Sequence, residues 1–315
     1  MKKMLSIIMA ITPVILCGCN ANYQNSQTRF MLDTVVSIDA AVQNSVLNGA
    51  FSLCTQYENL LSKTVQTSDI GRLNSDGTAE VGNDALTLIK ESLRYSRMTD
   101  GKFDITVCSV TDLWDFENGI IPNGSNIAEQ LKNVDYKKIA INGNTVELNG
   151  AKIDLGAIAK GYIADKVSAY LKENGAKSAT VNMGGNIAVF GENYSNIGVK
   201  DPFGDGIAAT LKVKNRSVVT SGTYERCFTK DGKNYHHIID TKTGYPAATD
   251  IKSATVIGND GTSADALSTC CILLGLQDGM QLIEKTENVE ALFIYSNGGI
   301  HISSGIYCED GVYRL

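Results

Sequence analysis

Asp265 and Thr269 stand four residues apart in Ser263-Ala264-Asp265-Ala266-Leu267-Ser268-Thr269. On a helix that spacing puts a carboxylate and a hydroxyl on one face. Both are hard oxygen donors of the kind Mg²⁺ takes. A helix whose Asp265 favours the dipole and whose Thr269 packs has the same spacing, so the pair alone leaves both readings open. A second constellation is Asp154-Leu155-Gly156-Ala157-Ile158-Ala159-Lys160-Gly161-Tyr162. There a strand ends, a glycine permits a tight turn, and a helix begins with free N–H groups that can face an anion. Lys160 falls in the first turn, where the helix dipole disfavours a cation. An anionic ligand would offset that repulsion; a solvated lysine on a generic strand–helix corner is the alternative.

Tyr235-His236-His237-Ile238-Ile239-Asp240-Thr241-Lys242-Thr243-Gly244-Tyr245-Pro246 runs from a strand into a turn and holds two of the three histidines. Neighbours on a strand face opposite sides, so a two-histidine metal site is excluded. One histidine is expected near a ligand and the other exposed. Val181-Asn182-Met183-Gly184-Gly185-Asn186 places a Gly-Gly step between strands, which marks either a bend or a close approach by a ligand. The chain has no Gly-x-Ser-x-Gly elbow and no GxGxxG after a first strand, against a serine hydrolase and a dinucleotide-binding doubly wound domain.

The elements that must carry these residues follow from periodicity. Helices are expected over 45–62, 83–99, 157–173, 263–274 and 278–286, with a capped turn of helix from Ser68. Strands are expected over 30–42, 178–183, 186–190, 196–200, 208–213, 217–220, 224–229, 235–240, 253–257 and twice within 290–308, with a hairpin in 139–154. Residues 101–107 read as a turn into an extended segment, and 110–130 as an irregular insertion. This mixture is α+β, one compact catalytic unit over residues 29–315.

Lys2 and Lys3 precede an apolar run from Met4 to Leu16 that is too short for a comfortable membrane span. It reads as a signal peptide over residues 1–18, with Gly18 preceding a lipid-accepting Cys19. Residues 19–28 then form a polar tether, and the protein sits lipid-anchored on the outer side of a cell membrane. No later segment reads as a bilayer span. Losing Lys2 and Lys3 takes the formal charge from −6 to −8, which disfavours nucleic acid as a partner. Anionic ligands therefore need a local cation, a metal or backbone amides. Cys54, Cys108, Cys227, Cys270, Cys271 and Cys308 show no CxxC spacing, against a zinc site; disulfides and free thiols both stay open.

In order along the chain, these pieces resemble the ApbE family of FAD:protein FMN transferases. The resemblance spans about residues 30–289. It rests on Met31-Leu32-Asp33-Thr34, the Ser68 to Asn74 turn, residues 101–107 with Leu113-Trp114, Asp154 to Tyr162, Val181 to Asn186, Thr220-Ser221-Gly222-Thr223-Tyr224-Glu225-Arg226, His237 to Pro246, and Ala264 to Thr269. It implies cleavage of the FAD pyrophosphate, transfer of FMN to a Thr or Ser of a partner protein, and release of AMP. The acceptor would be a flavoprotein, such as a subunit of a membrane redox pump. Mg²⁺ would be held by the main-chain oxygen of Ala157 and the side chains of Asp265 and Thr269. FAD contacts would fall on Met31, the position of Thr64, Lys102, Phe103, Asp104, Asp154, Lys160 and Ile239. Lys160, Asp265 and His237 would carry the chemistry, with His237 handling the hydroxyl proton. Two departures stand out. Leu32 replaces a glycine, and Thr64 replaces an aromatic residue that can stack on flavin. The second leaves room for FAD hydrolysis to FMN and AMP, and a non-catalytic flavin-binding lipoprotein is a third reading.

Overall fold

The computed structural model describes residues 25–315. The leader, Cys19 and the first part of the tether lie outside the described residues. The tether ends sooner than expected, because Asn25–Met31 is already a strand, paired with Thr34–Ala40 from Asn25↔Ala40 to Met31↔Thr34. Leu32 and Asp33 make the turn with φ of 55° and 53°, the left-handed pair that a two-residue hairpin requires. For Leu32 that conformation costs roughly 1–2 kcal/mol. Its side chain packs against the adjacent core and offsets part of the cost.

Seven helices follow in chain order: α1 Asn44–Leu61, α2 Asp69–Asp76, α3 Asn83–Met98, α4 Cys108–Thr111, α5 Gly124–Leu131, α6 Ala159–Glu173 and α7 Gly261–Glu284. An eight-stranded antiparallel sheet runs through the molecule. Its order is Asn25–Met31, Thr34–Ala40, Ala179–Met183, Asn186–Phe190, Arg216–Gly222, Ile251–Gly258, Glu290–Tyr295 and Ile300–Ile302. Alternation decides which side chains go where. Val36, Ile38, Val181 and Met183 pack against α1 and α6, and Val219, Ala254 and Val256 pack against α3 and α7. On the opposite face Ile187, Val189, Val218 and Ile257 pack against a smaller sheet. That sheet has the order Tyr307–Glu309, Val312–Arg314, Ile207–Val213, Ser195–Lys200. The architecture is the expected α+β.

Three expectations change. Residues 101–107 do not run extended: Asp104 caps a short 3-10 helix, Ile105–Val107. The insertion after Val110 is not irregular throughout, since it contains α5 and an aromatic cluster in which Trp114 stacks on Phe116. Helix α7 is long and apolar enough, by length and composition alone, to cross a bilayer. It packs on the strands Arg216–Gly222 and Ile251–Gly258, buries Asp265 and Ser268, and breaks helical geometry at Gly275 (φ 79°). That break falls between the two helices read from the sequence. All six cysteines among the described residues are free.

Candidate active site

The strand ends and turns at one end of the main sheet border a cavity of about 1140 Å³. Among the residues read from the sequence, Lys102, Phe103, Asp104, Asp154, Ala157, Lys160, His237, Ile239, Asp265 and Thr269 all line it. Met31 and Thr64 do not. Met31 packs toward the α1–α6 core. Thr64 is exposed, within hydrogen-bond distance of the Ser62 hydroxyl at 2.9 Å.

Asp265 owes its position to the crossing of α6 and α7. A Cβ on Gly161 would lie 2.0 Å from the Gly261 carbonyl oxygen and 2.8 Å from the Asp265 Cβ. Only glycine lets the helices approach this closely. The Gly161 N–H donates to Asp265 Oδ2 at 3.0 Å. Asp165, one turn further along α6, fixes the crossing by accepting from the N–H groups of Gly261 (2.7 Å) and Thr262 (2.9 Å). The Asn186 amide, turned nitrogen-first, donates to Asp265 at 3.2 Å. Asp265 is 3% exposed. Burial pushes its carboxyl above the ordinary carboxylate value, and Lys160, Gly161 and Asn186 pull it partly back. A buried carboxylate held short of full compensation is suited to a cation. Thr269 lies one turn on, its Oγ1 3.3 Å from the Ser221 hydroxyl. Asp265, Thr269 and the Ala157 carbonyl are a hard-oxygen set with room for phosphate oxygens and water, which fits Mg²⁺.

Lys160 donates to the Gly156 carbonyl oxygen at 2.9 Å and so stays at the start of α6. Asp154 Oδ1 accepts from the Gly156 N–H at 2.8 Å. Its Oδ2 is 3.0 Å from the ammonium of Lys63, which also reaches Asp112 at 2.6 Å. Lys63 escaped the sequence reading because its partners are 49 and 91 positions away, and no local pattern marks it. The Asp104 carboxylate is fully engaged by the Thr106 N–H and hydroxyl and by the Tyr136 N–H, at 2.7–2.8 Å. It shapes its turn, leaving Lys102 and the buried Phe103 as the neighbours with free functionality. Thr241 donates to the Gly101 carbonyl oxygen at 2.9 Å and ties that turn to the histidine segment. Trp114 donates to Gly244 at 3.1 Å, and Val110, Trp114 and Ile127 seat Ile239.

His237 Nδ1 lies 3.0 Å from the Glu225 carbonyl oxygen. A carbonyl only accepts, so Nδ1 carries the proton and Nε2 keeps its lone pair. Burial, with Arg226 and Lys160 nearby, lowers His237 to about 4. It is neutral near pH 7. His236, expected to be exposed, is instead buried and held through Nε2 to the Ala247 carbonyl oxygen at 3.1 Å. The Glu225 side chain also lines the cavity, its carboxyl pushed up to about 7 by burial despite Lys160, Lys200 and Arg226. Glu225 and Ser221 stand in the Thr220 to Arg226 stretch, where no local pattern marks either for chemistry.

A lysine at a helix start, hard oxygens across from it and a neutral imidazole in one cavity define an enzyme site for phosphate-group chemistry. The ApbE family pattern matches residues 32–293. The chain is 35% identical to the FAD:protein FMN transferase of Treponema pallidum (strain Nichols), covering 92% of this chain and 90% of that protein. Against the FAD:protein FMN transferase of Klebsiella pneumoniae (strain 342) the identity is 34%, covering 81% and 83%. The crystal structure of the ApbE protein from Thermotoga maritima superposes with a TM-score of 0.82 at 32% identity, covering 89% of this chain and 97% of that one. The chain belongs to the ApbE family.

Proposed function

We propose that this protein transfers FMN from FAD to a Thr or Ser hydroxyl of a partner protein in a Mg²⁺-dependent reaction that releases AMP. The observation that supports it most is the convergence of Lys160, His237, Asp265 and Thr269 on one cavity, in a chain with transferase relatives at 34–35% identity. Lys102 and Lys160, which both line the cavity, attract the pyrophosphate to the start of α6. His237 Nε2 takes the proton of the acceptor hydroxyl as its oxygen bonds to the FMN phosphorus. The bond from that phosphorus to the bridging oxygen breaks, and AMP leaves with that oxygen. Asp265, Thr269 and the Ala157 carbonyl would hold Mg²⁺, which when bound neutralises charge on the phosphates. Phe103 and Ile239 keep one wall apolar and exclude water from the base.

Water in place of the acceptor gives FMN and AMP. The protein acts on the outer side of a membrane, anchored through lipid on Cys19. The test is to mix purified protein, FAD, Mg²⁺ and a candidate acceptor domain. Covalent flavin fluorescence on the acceptor in a denaturing gel is the expected result, abolished by chelator and restored by Mg²⁺. FMN and AMP without a labelled acceptor would establish hydrolysis instead; unchanged FAD would leave only binding.

A further inference from the structure

The cavity extends beyond the groups that the chemistry uses. Ile197, Gly198, Val199 and Lys200 all line it. Successive residues of a strand point to opposite faces, so four in a row meet one cavity only where it runs along the strand's edge. Among the described residues, Ser195–Lys200 is the outer strand of the smaller sheet and pairs on one side only, with Ile207–Val213. Its other side carries unpaired N–H and C=O groups, the template that an added strand needs. Gly198 has no side chain of its own, and Ile207 packs into the space a Cβ there would take; the register slips between Val199 and Lys200, a bulge of the kind that ends pairing beside active sites. Facing this edge, Thr28, Val35, Ser37 and Asn182 line the cavity from the main sheet. They belong to the face opposite Val36, Ile38 and Val181, which pack on the helices. Phe30 pairs in register with the cavity-lining Val35 and is 78% exposed; Ile207, which lines the cavity, is 44% exposed. The trough is continuous with the cavity wall that holds Gly185, Glu225 and His237.

We propose that this trough takes the acceptor protein's hydroxyl-bearing segment in extended form, added as a strand to the free edge of Ser195–Lys200, with Phe30 and Ile207 gripping its apolar side chains. The proposal rests on the transfer reading above and names where the partner docks. Main-chain pairing brings the segment's Thr or Ser to His237 and leaves sequence choice to the rim contacts.

The probe is a bead-displayed library of short peptides, each with one threonine, incubated with the full chain, FAD and Mg²⁺. Labelled beads are expected. With the best-labelled peptide, amide exchange across Ser195–Lys200 slows. Ser37→Trp, which fills the trough floor, lowers labelling kcat/KM by about tenfold or more while FAD affinity, read by flavin fluorescence, stays within about twofold. Phe30→Ser, at an exposed position that folding does not depend on, moves labelling in the same direction. With a labelled peptide in hand, the proposal is overturned by unchanged labelling in both variants, by a parallel loss of FAD affinity that would assign the trough to FAD, or by no protection of the edge strand. If no peptide is labelled while whole membrane proteins are, docking of an extended segment is wrong and transfer stands. If neither is labelled, both readings fall.

Discussion

His237 is held by one hydrogen bond, and that bond decides its chemistry. The Glu225 carbonyl fixes the proton on Nδ1, and burial lowers the ring to about 4. A base must be neutral to accept a proton, so lowering its value extends the working range toward acid. The acid limb of kcat/KM that belongs to His237 is expected well below the ordinary histidine value of 6.5, and Glu225, its carboxyl pushed up to about 7 in the same cavity, gives a separate step at higher pH. His237→Ala should lose transfer by at least about 100-fold and abolish that limb; a variant with full activity would remove His237 from the mechanism. Lys63 acts one step back, as a positioning residue. It is the cation between Asp112 and Asp154, and its removal leaves two carboxylates facing each other at the edge of the site. Lys63→Met should raise the KM for FAD by about tenfold with a smaller change in kcat, and Lys63→Arg should recover part of it. Equal effects in the two variants would speak against a charge role. The local pattern marked the His236-His237 pair without choosing between them; the family resemblance singled out His237, and the structure places it at the cavity. The sequence did not disclose Lys63, whose meaning comes from partners brought near only by folding.

At the scale of elements, the regular pieces were readable where one physical rule dominated. The apolar stripe of α6 and its stop at Gly175 predicted its span to within two residues at the start. The Ser68 cap and the left-handed Gly77 bounded α2. The misreadings came where a long-range partner overrode local pattern. Residues 105–107 are β-branched and read as extended, yet Asp104 bonds three donors and winds them into a turn. His236 reads as exposed by alternation, yet the chain folds back and buries it against Ala247. The α6–α7 crossing was also illegible, because a close helix approach is a property of two glycines, at 161 and 261, one hundred residues apart. Gly161→Ala tests it. The added Cβ would sit 2.0 Å from backbone that cannot rotate away, so the helices must separate. The expected cost is roughly 1–3 kcal/mol in chemical denaturation. Asp265 would also shift, so activity at saturating Mg²⁺ should fall in the folded variant. Asp165→Ala, which removes the acceptor of the Gly261 and Thr262 N–H groups but leaves the Asp260 cap of α7 in place, should cost about 1–2 kcal/mol and leave more of the activity. If the two variants lose activity equally, the crossing does not set the position of Asp265.

At the scale of the whole molecule, the strand starting at Asn25 changes what the lipid anchor implies. Only residues 20–24 separate Cys19 from that strand. Five residues fully extended reach at most about 18 Å. The start of the first strand, Asn25, therefore stays within about two nanometres of the bilayer surface if Cys19 carries lipid. This strand is the open edge of the main sheet, and its Thr28 lines the same cavity as His237. A lipid on Cys19 would then do more than retain the protein: it would keep the start of this strand near the membrane, within reach of an acceptor embedded there. Two-dimensional confinement raises the effective concentration of such a partner without any new contact. Cys19→Ala in the full chain should move the protein from the membrane fraction to the soluble fraction and abolish incorporation of radiolabelled fatty acid. Purified in detergent, the variant should bind and cleave FAD as before, because its cavity is unchanged. In intact membranes, labelling of a membrane-embedded acceptor should fall by about tenfold or more. Inserting a long Gly-Ser spacer after residue 22 should lower it part of the way while leaving the anchor in place. Unaltered labelling with the spacer would mean that the anchor serves retention alone, and membrane-bound Cys19→Ala protein would mean that another segment holds the chain.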